Sequence, residues 1–234
     1  MVQEALGFLA VASVWVLPVL LAITLHEAAH GYVAWRLGDD TAWRQGRVSF
    51  NPLRHVDPFG TVALPAMLLL LKAPFLFGWA KPVPVDFRRL RRPRRDMVLV
   101  AAAGPCANLL LATCAALLFH VLPILPEAVA GWVGRNLLNA ILINLVLAIF
   151  NMMPLPPLDG GRIAVGLLPG ALARPLARLE RYGFLIIIGV VFLLPMIGRQ
   201  IGIDLEVFYW IVIVPVNWLF TLFAALAGLT VTLQ

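Results

Sequence analysis

Residues His26-Glu27-Ala28-Ala29-His30 lie inside a nearly uncharged apolar stretch that runs from about Leu6 to Trp35. A helix is the one backbone form that can carry such a stretch through a bilayer with its own polar groups satisfied. Ionisable side chains are expensive at that depth and mark a functional site by default. On a helix, positions i and i+4 share a face, so His26 and His30 can turn their ring nitrogens toward one metal ion. Glu27 is offset by about 100° and can reach a water held beside that ion. The pattern is that of zinc-dependent hydrolysis within a membrane.

Composition supports the membrane setting, since 62% of residues are hydrophobic and 13% charged, far from the mixture of soluble domains. Apolar runs that can cross a bilayer are Leu6–Leu37, Met97–Leu122, Leu137–Leu158, Tyr182–Ile197 and Val207–Leu229. The expected fold is an all-α membrane protein, a polytopic bundle of about five to six transmembrane helices. Residues 1–234 are expected to form a single domain, with a catalytic core of about 5–165 and C-terminal helices at about 182–229. The first apolar run holds the HExxH pattern and has no basic leading region, which argues against a cleaved signal peptide.

Thr61–Trp79 is apolar but contains Pro65, Lys72, Pro74 and Gly78, which interrupt a simple helix and suggest a re-entrant or broken segment. Its flanks, Val48–Pro58 and Lys81–Phe87, are expected to form short extended pieces, so that irregular structure is concentrated near 48–87. Charge counting favours a segment that turns back without crossing. Arg44, Arg47, Arg54, Lys81, the run Arg88, Arg89, Arg91, Arg92, Arg94 and Arg95, and then Arg162, Arg174, Arg178 and Arg181 all fall on one side. Only Arg135 and Arg199 fall opposite, as an excess of Lys and Arg in cytoplasmic loops requires.

The formal charge of +6 does not point to nucleic acid, because the arginine run directly precedes an apolar span and has little aromatic interleaving. Anionic lipid headgroups suit it better. Cys106 and Cys114 are two turns apart on one helix, about 12 Å along its axis. They cannot pair with each other, and they read as small core residues.

A catalytic zinc takes three protein ligands and keeps a fourth position open. The third is expected from Asn151-Met152-Met153-Pro154-Leu155-Pro156-Pro157-Leu158-Asp159-Gly160-Gly161-Arg162. Asp159 is the downstream acid in an apolar, turn-rich setting; the prolines end the helix, and Gly160-Gly161 allow the chain to turn. Asn108 and Asn144 are expected to bond between helices, with Gly104 permitting close approach. His55 and Asp57 sit in a Pro-bounded loop and read as turn residues. His120 is expected at a membrane interface.

Through HEAAH at His26–His30, Asn51-Pro52-Leu53-Arg54-His55-Val56-Asp57-Pro58, Gly104-Pro105-Cys106-Ala107-Asn108 and the run Asn151–Arg162, the chain resembles the site-2 protease family of intramembrane zinc metalloproteases. The resemblance covers most of the first 165 residues and is to a short member without a PDZ-like insertion. It implies one Zn2+ per chain held by His26, His30 and Asp159, Glu27 as general base, and Asn151 as a donor to the oxyanion. Implied substrates are single-span transmembrane proteins or signal-peptide remnants, cut in a prokaryotic inner membrane with the zinc toward the cytoplasm. The alternatives are a zinc-binding membrane scaffold, which would not need Glu27, and a metal transporter, which would need a polar path that the spans after Tyr182 do not offer.

Overall fold

The computed structural model describes residues 2–71 and 78–229, and within these every regular element is helical. The α-helices are α1 (Val2–Arg36), α2 (Thr41–Arg44), α3 (Leu64–Leu70), α4 (Pro93–Leu118), α5 (Glu127–Asn151), α6 (Asp159–Leu167), α7 (Gly170–Arg178), α8 (Gly183–Ile188), α9 (Leu194–Ile201) and α10 (Val214–Leu226). Among the described residues, five helical stretches are long and apolar enough to cross a membrane: Leu9–Arg36, Pro93–Ile124, Glu127–Asn151, Gly170–Ile201 and Tyr209–Leu226.

Three spans begin earlier than hydropathy alone suggests, the second by one turn, at Pro93. The third, expected at Leu137–Leu158, runs over Glu127–Asn151. Its first turns accept polar residues because their amide N–H groups find carbonyls: Asn136 Nδ2 donates to that of Trp132 at 3.0 Å, and Asn139 Nδ2 donates to that of Val14 at 2.9 Å. It stops at Asn151 because Pro154, Pro156 and Pro157 follow and cannot continue a helical hydrogen-bond ladder. The fourth starts at Gly170, since the amphipathic α7 carries Arg174 and Arg178 ahead of the apolar α8 and α9.

Helices α1, α4 and α5 form the centre, and α6 packs on α4. Small residues on α4 (Ala112, Ala115 and Ala116) meet Ile141 and Leu145 of α5 and Val212 and Val216 of the span Tyr209–Leu226 in one buried cluster. Short side chains permit such close approach where lipid replaces water and packing must supply the association energy.

Between α1 and α4 the chain is irregular. It contains no strand among the described residues; the two expected extended pieces have extended conformation at Asn51, Val56, Asp57 and Asp86 and are joined by one backbone bond, from the Lys81 N–H to the His55 carbonyl at 2.9 Å. Asn51 Oδ1 accepts from the Leu53 N–H at 3.0 Å. Asp57 Oδ1 accepts from the N–H groups of Phe59 and Gly60, which makes it the cap that starts the wide helical turn Pro58–Ala63 leading into α3. The Trp79 N–H then donates to the Gly60 carbonyl at 3.1 Å, and the Thr61 hydroxyl to the Trp79 carbonyl at 2.8 Å. The segment therefore returns to the place it left, as a re-entrant element must; Lys72 and Pro74 lie outside the described residues. All six arginines between Arg88 and Arg95 are exposed. Cys106 and Cys114 are unpaired and exposed on α4, not in its core.

Candidate metal centre and catalytic site

His26 and His30, on successive turns of α1, face the first turn of α6. Their Nε2 atoms are 3.0 Å apart, and Asp159 Oδ2 lies 3.3 Å from the first and 3.4 Å from the second. All three residues are buried. They form a three-residue cluster of ligand atoms suited to one metal ion.

Protons decide what the cluster can hold. His26 Nδ1 is 2.6 Å from Asn108 Oδ1, and His30 Nδ1 is 2.7 Å from the Val100 carbonyl. The Asn108 orientation is set by its neighbours: Nδ2 donates to Asn144 Oδ1 at 2.7 Å, and Asn144 Nδ2 donates in turn to the Ala140 carbonyl at 2.8 Å. Each histidine thus meets an acceptor at Nδ1 and must carry its proton there, which leaves both Nε2 lone pairs bare in the neutral rings. Asp159 Oδ2 is buried with no hydrogen-bond partner among the described residues. Three electron pairs converging without a proton repel one another unless a cation lies between them. Ligand atoms about 2.0–2.2 Å from a tetrahedral zinc are separated by about 3.3–3.5 Å, close to the two Asp159 spacings. The donor set of two imidazoles and one carboxylate fits a catalytic zinc with one position open.

The sequence placed Gly104 at a helix contact; the structure gives that contact a sharper meaning. A Cβ at this position would sit 2.4 Å from His30 Nε2 and 2.6 Å from His26 Nε2, so α4 supplies a wall that must be bare. Gly160 and Gly161 act in a related way. Both are in the first turn of α6 with ordinary helical conformation, and neither supplies a left-handed turn. A Cβ on either would strike the backbone of the Met152–Pro156 turn at 2.1 Å, so their role is to let that turn press against the helix carrying Asp159.

Glu27 is half-buried, and its Oε2 accepts the Val83 N–H at 2.7 Å. Nothing in the spacing of the sequence pointed to this contact, which joins α1 to the irregular stretch before α4. Asn151 is the last residue of α5. Its Nδ2 donates one hydrogen to the Leu147 carbonyl at 3.0 Å, which leaves its second hydrogen for another acceptor. His55 is buried against the loop, with Nε2 donating to the Ser49 carbonyl at 3.0 Å, and His120 Nε2 donates to the Leu226 carbonyl at 2.9 Å. Neither belongs to the metal cluster.

Residues 125–196, which include α5, the proline-rich turn and Asp159, match the model of peptidase family M50. Over 187 residues the chain is 42% identical to YwhC of Bacillus subtilis (strain 168), provisionally named a zinc metalloprotease, covering 77% of this chain and 80% of that one. The chain belongs to peptidase family M50. It is also 30% identical to Rip2 of Mycolicibacterium smegmatis over 82% of this chain and 70% of that one. Rip2 of Mycobacterium tuberculosis (strain H37Rv) is 30% identical over 89% of this chain and 77% of that one. Both carry the same provisional zinc metalloprotease name. No solved structure matches. M50 membership and the apolar helices make this an integral membrane zinc protease of the site-2 type.

The Asn108 contact gives a first expectation. Asn108→Leu removes the acceptor that keeps the His26 proton on Nδ1, and zinc affinity should fall about 10- to 100-fold. Competition with a graded series of chelators measures this directly, and an unchanged affinity would reject the tautomer argument.

Proposed function

We propose that His26, His30 and Asp159 hold one zinc ion per chain and that Glu27 is the general base of peptide-bond hydrolysis within the membrane. The observation that carries this reading is the convergence of three buried ligand atoms beside the one acidic residue adjacent to His26. The zinc would polarise the scissile carbonyl and make a water nucleophilic near neutral pH.

The chain's own residues supply the rest. Glu27 keeps one carboxylate oxygen on the Val83 N–H, and the other takes the proton of the attacking water. Glu27 then passes that proton to the departing amine nitrogen as the C–N bond breaks. The free hydrogen of Asn151 Nδ2 is the candidate donor to the oxyanion that forms on the carbonyl carbon. Residues 1–234 act as a single domain, with α1, α4, α5 and α6 as its catalytic core.

Location suggests the substrate. A site among membrane helices reaches peptide bonds in segments that enter the bilayer, so single-span transmembrane proteins or signal-peptide remnants fit best. Such a helix hides its carbonyls in internal hydrogen bonds and must unwind locally to be cut. The extended stretch before α4 offers backbone that an unwound strand could join by β-addition. The Lys and Arg excess gathers at the end of the bundle where α1 finishes and α4 begins, which supports a prokaryotic inner membrane with the zinc toward the cytoplasm. The scaffold and transporter readings have no observation in their favour.

The test is cleavage of single-span substrates by purified protein in lipid vesicles, with each cut mapped by mass spectrometry. Cuts within the apolar segment, lost with a chelator and restored by zinc, are expected. Cleavage confined to water-exposed tails would reject the intramembrane site.

A further inference from the structure

Arg47 is only 7% exposed, yet no carboxylate is paired with it among the described residues. Burying a cation away from both water and a counter-charge is expensive, so its donors are expected to hold something that matters. Arg47 Nη2 donates to the Lys81 carbonyl at 2.6 Å and the Pro82 carbonyl at 3.3 Å, while Nε has no partner among the described residues.

The next residue is Val83, whose N–H holds Glu27 Oε2. Pro82 and Pro84 on either side have no N–H, so Val83 provides the single backbone donor over residues 82–84. Its side chain presses on α1 one turn beyond Glu27: a Cβ at Gly31 would lie 3.0 Å from Val83 Cγ1 and 2.9 Å from Cγ2 of Val48, the neighbour of Arg47. The far end of the stretch is held by Asp39. This residue is fully buried, and its Oδ2 accepts the Asp86 N–H at 2.7 Å while its Oδ1 accepts from Thr41. Residues 81–86 thus form a strap across α1, fastened by Arg47, Glu27 and Asp39.

We propose that Arg47 is a positioning residue for catalysis: by fixing the Lys81 and Pro82 carbonyls it keeps the Val83 N–H on Glu27 and so aims the carboxylate. The inference rests on the reading of Glu27 as the base. A guanidinium suits the task because it spans two neighbouring carbonyls with fixed geometry, which a flexible ammonium does less well.

The test compares full-length Arg47→Gln, Arg47→Lys and Val83→Pro with wild type in vesicles. It measures kcat, KM, bound zinc, and hydrogen exchange in peptides covering the strap. For Arg47→Gln, kcat should fall about 10- to 100-fold, as small misplacements of a reacting group do. Bound zinc should stay near wild type, and strap exchange should accelerate. Arg47→Lys should recover part of the loss. Val83→Pro, which deletes the donor while leaving Arg47 intact, should reproduce the kcat loss with zinc retained, and it tests the inference even if Arg47→Gln does not fold. Wild-type kcat in Arg47→Gln, or a loss of kcat with unchanged strap exchange, would overturn the proposal. Activity in Glu27→Gln would instead sink the assignment of the base, so the two failures are distinguishable.

Discussion

Glu27→Gln should retain zinc and the fold and lose cleavage. The substituted amide has nearly the same shape, and its carbonyl oxygen can still accept the Val83 N–H that Glu27 Oε2 accepts at 2.7 Å. What it cannot do is take a proton from water. Removing positioned acid–base catalysis costs about 10²–10⁴-fold, and here a single group is asked to act twice, first on the water and then on the amine. The measurement is single-turnover cleavage of a transmembrane substrate together with zinc content of the same sample. Zinc-loaded Glu27→Gln cutting at the wild-type rate would show that the proton goes elsewhere.

Asp159→Ala should fail at an earlier stage, losing both zinc and activity. His26 and His30 remain on one face of α1, but two imidazoles do not make the three-ligand set of a catalytic site. The loss of affinity should exceed the roughly 10- to 100-fold expected when an outer partner of a ligand is removed. Zinc removal from the wild type has a matching consequence for stability. Three lone pairs within 3.4 Å of one another are left facing each other, so chelation should lower the thermal midpoint. Zinc at about 100 times its Kd should contribute about 2.7 kcal/mol. Asp159→Ala relieves part of that repulsion, and its midpoint should respond little to chelator. A variant that binds zinc as tightly as wild type would remove Asp159 from the ligand set.

Much of this molecule was legible in its residues because the bilayer forces regular structure. The i and i+4 histidines, the bare position at Gly104 and the Asp-Gly run after the prolines each report a local constraint. The misplaced ends of α5 have a physical origin. Hydropathy rejects Asn136 and Asn139, whereas in the folded chain the amide of each donates to a carbonyl, of Trp132 and Val14 respectively. Contacts of irregular backbone were not legible at all. Arg47 read as one more basic residue on one side of the membrane, since no pattern of spacing relates it to the carbonyls of Lys81 and Pro82. The same holds for Val83 and Glu27, where the partner is a backbone N–H and leaves no signature in side-chain identity.

The three converging side chains come from the first α-helix of the chain and the sixth, with α4 between them closing one wall. A chain still leaving the ribosome has its histidines in place long before its aspartate. Until α6 has been made and docked, it holds an incomplete set of donors. With the proposed ligands, the metal site is complete only when the chain's own bundle is finished.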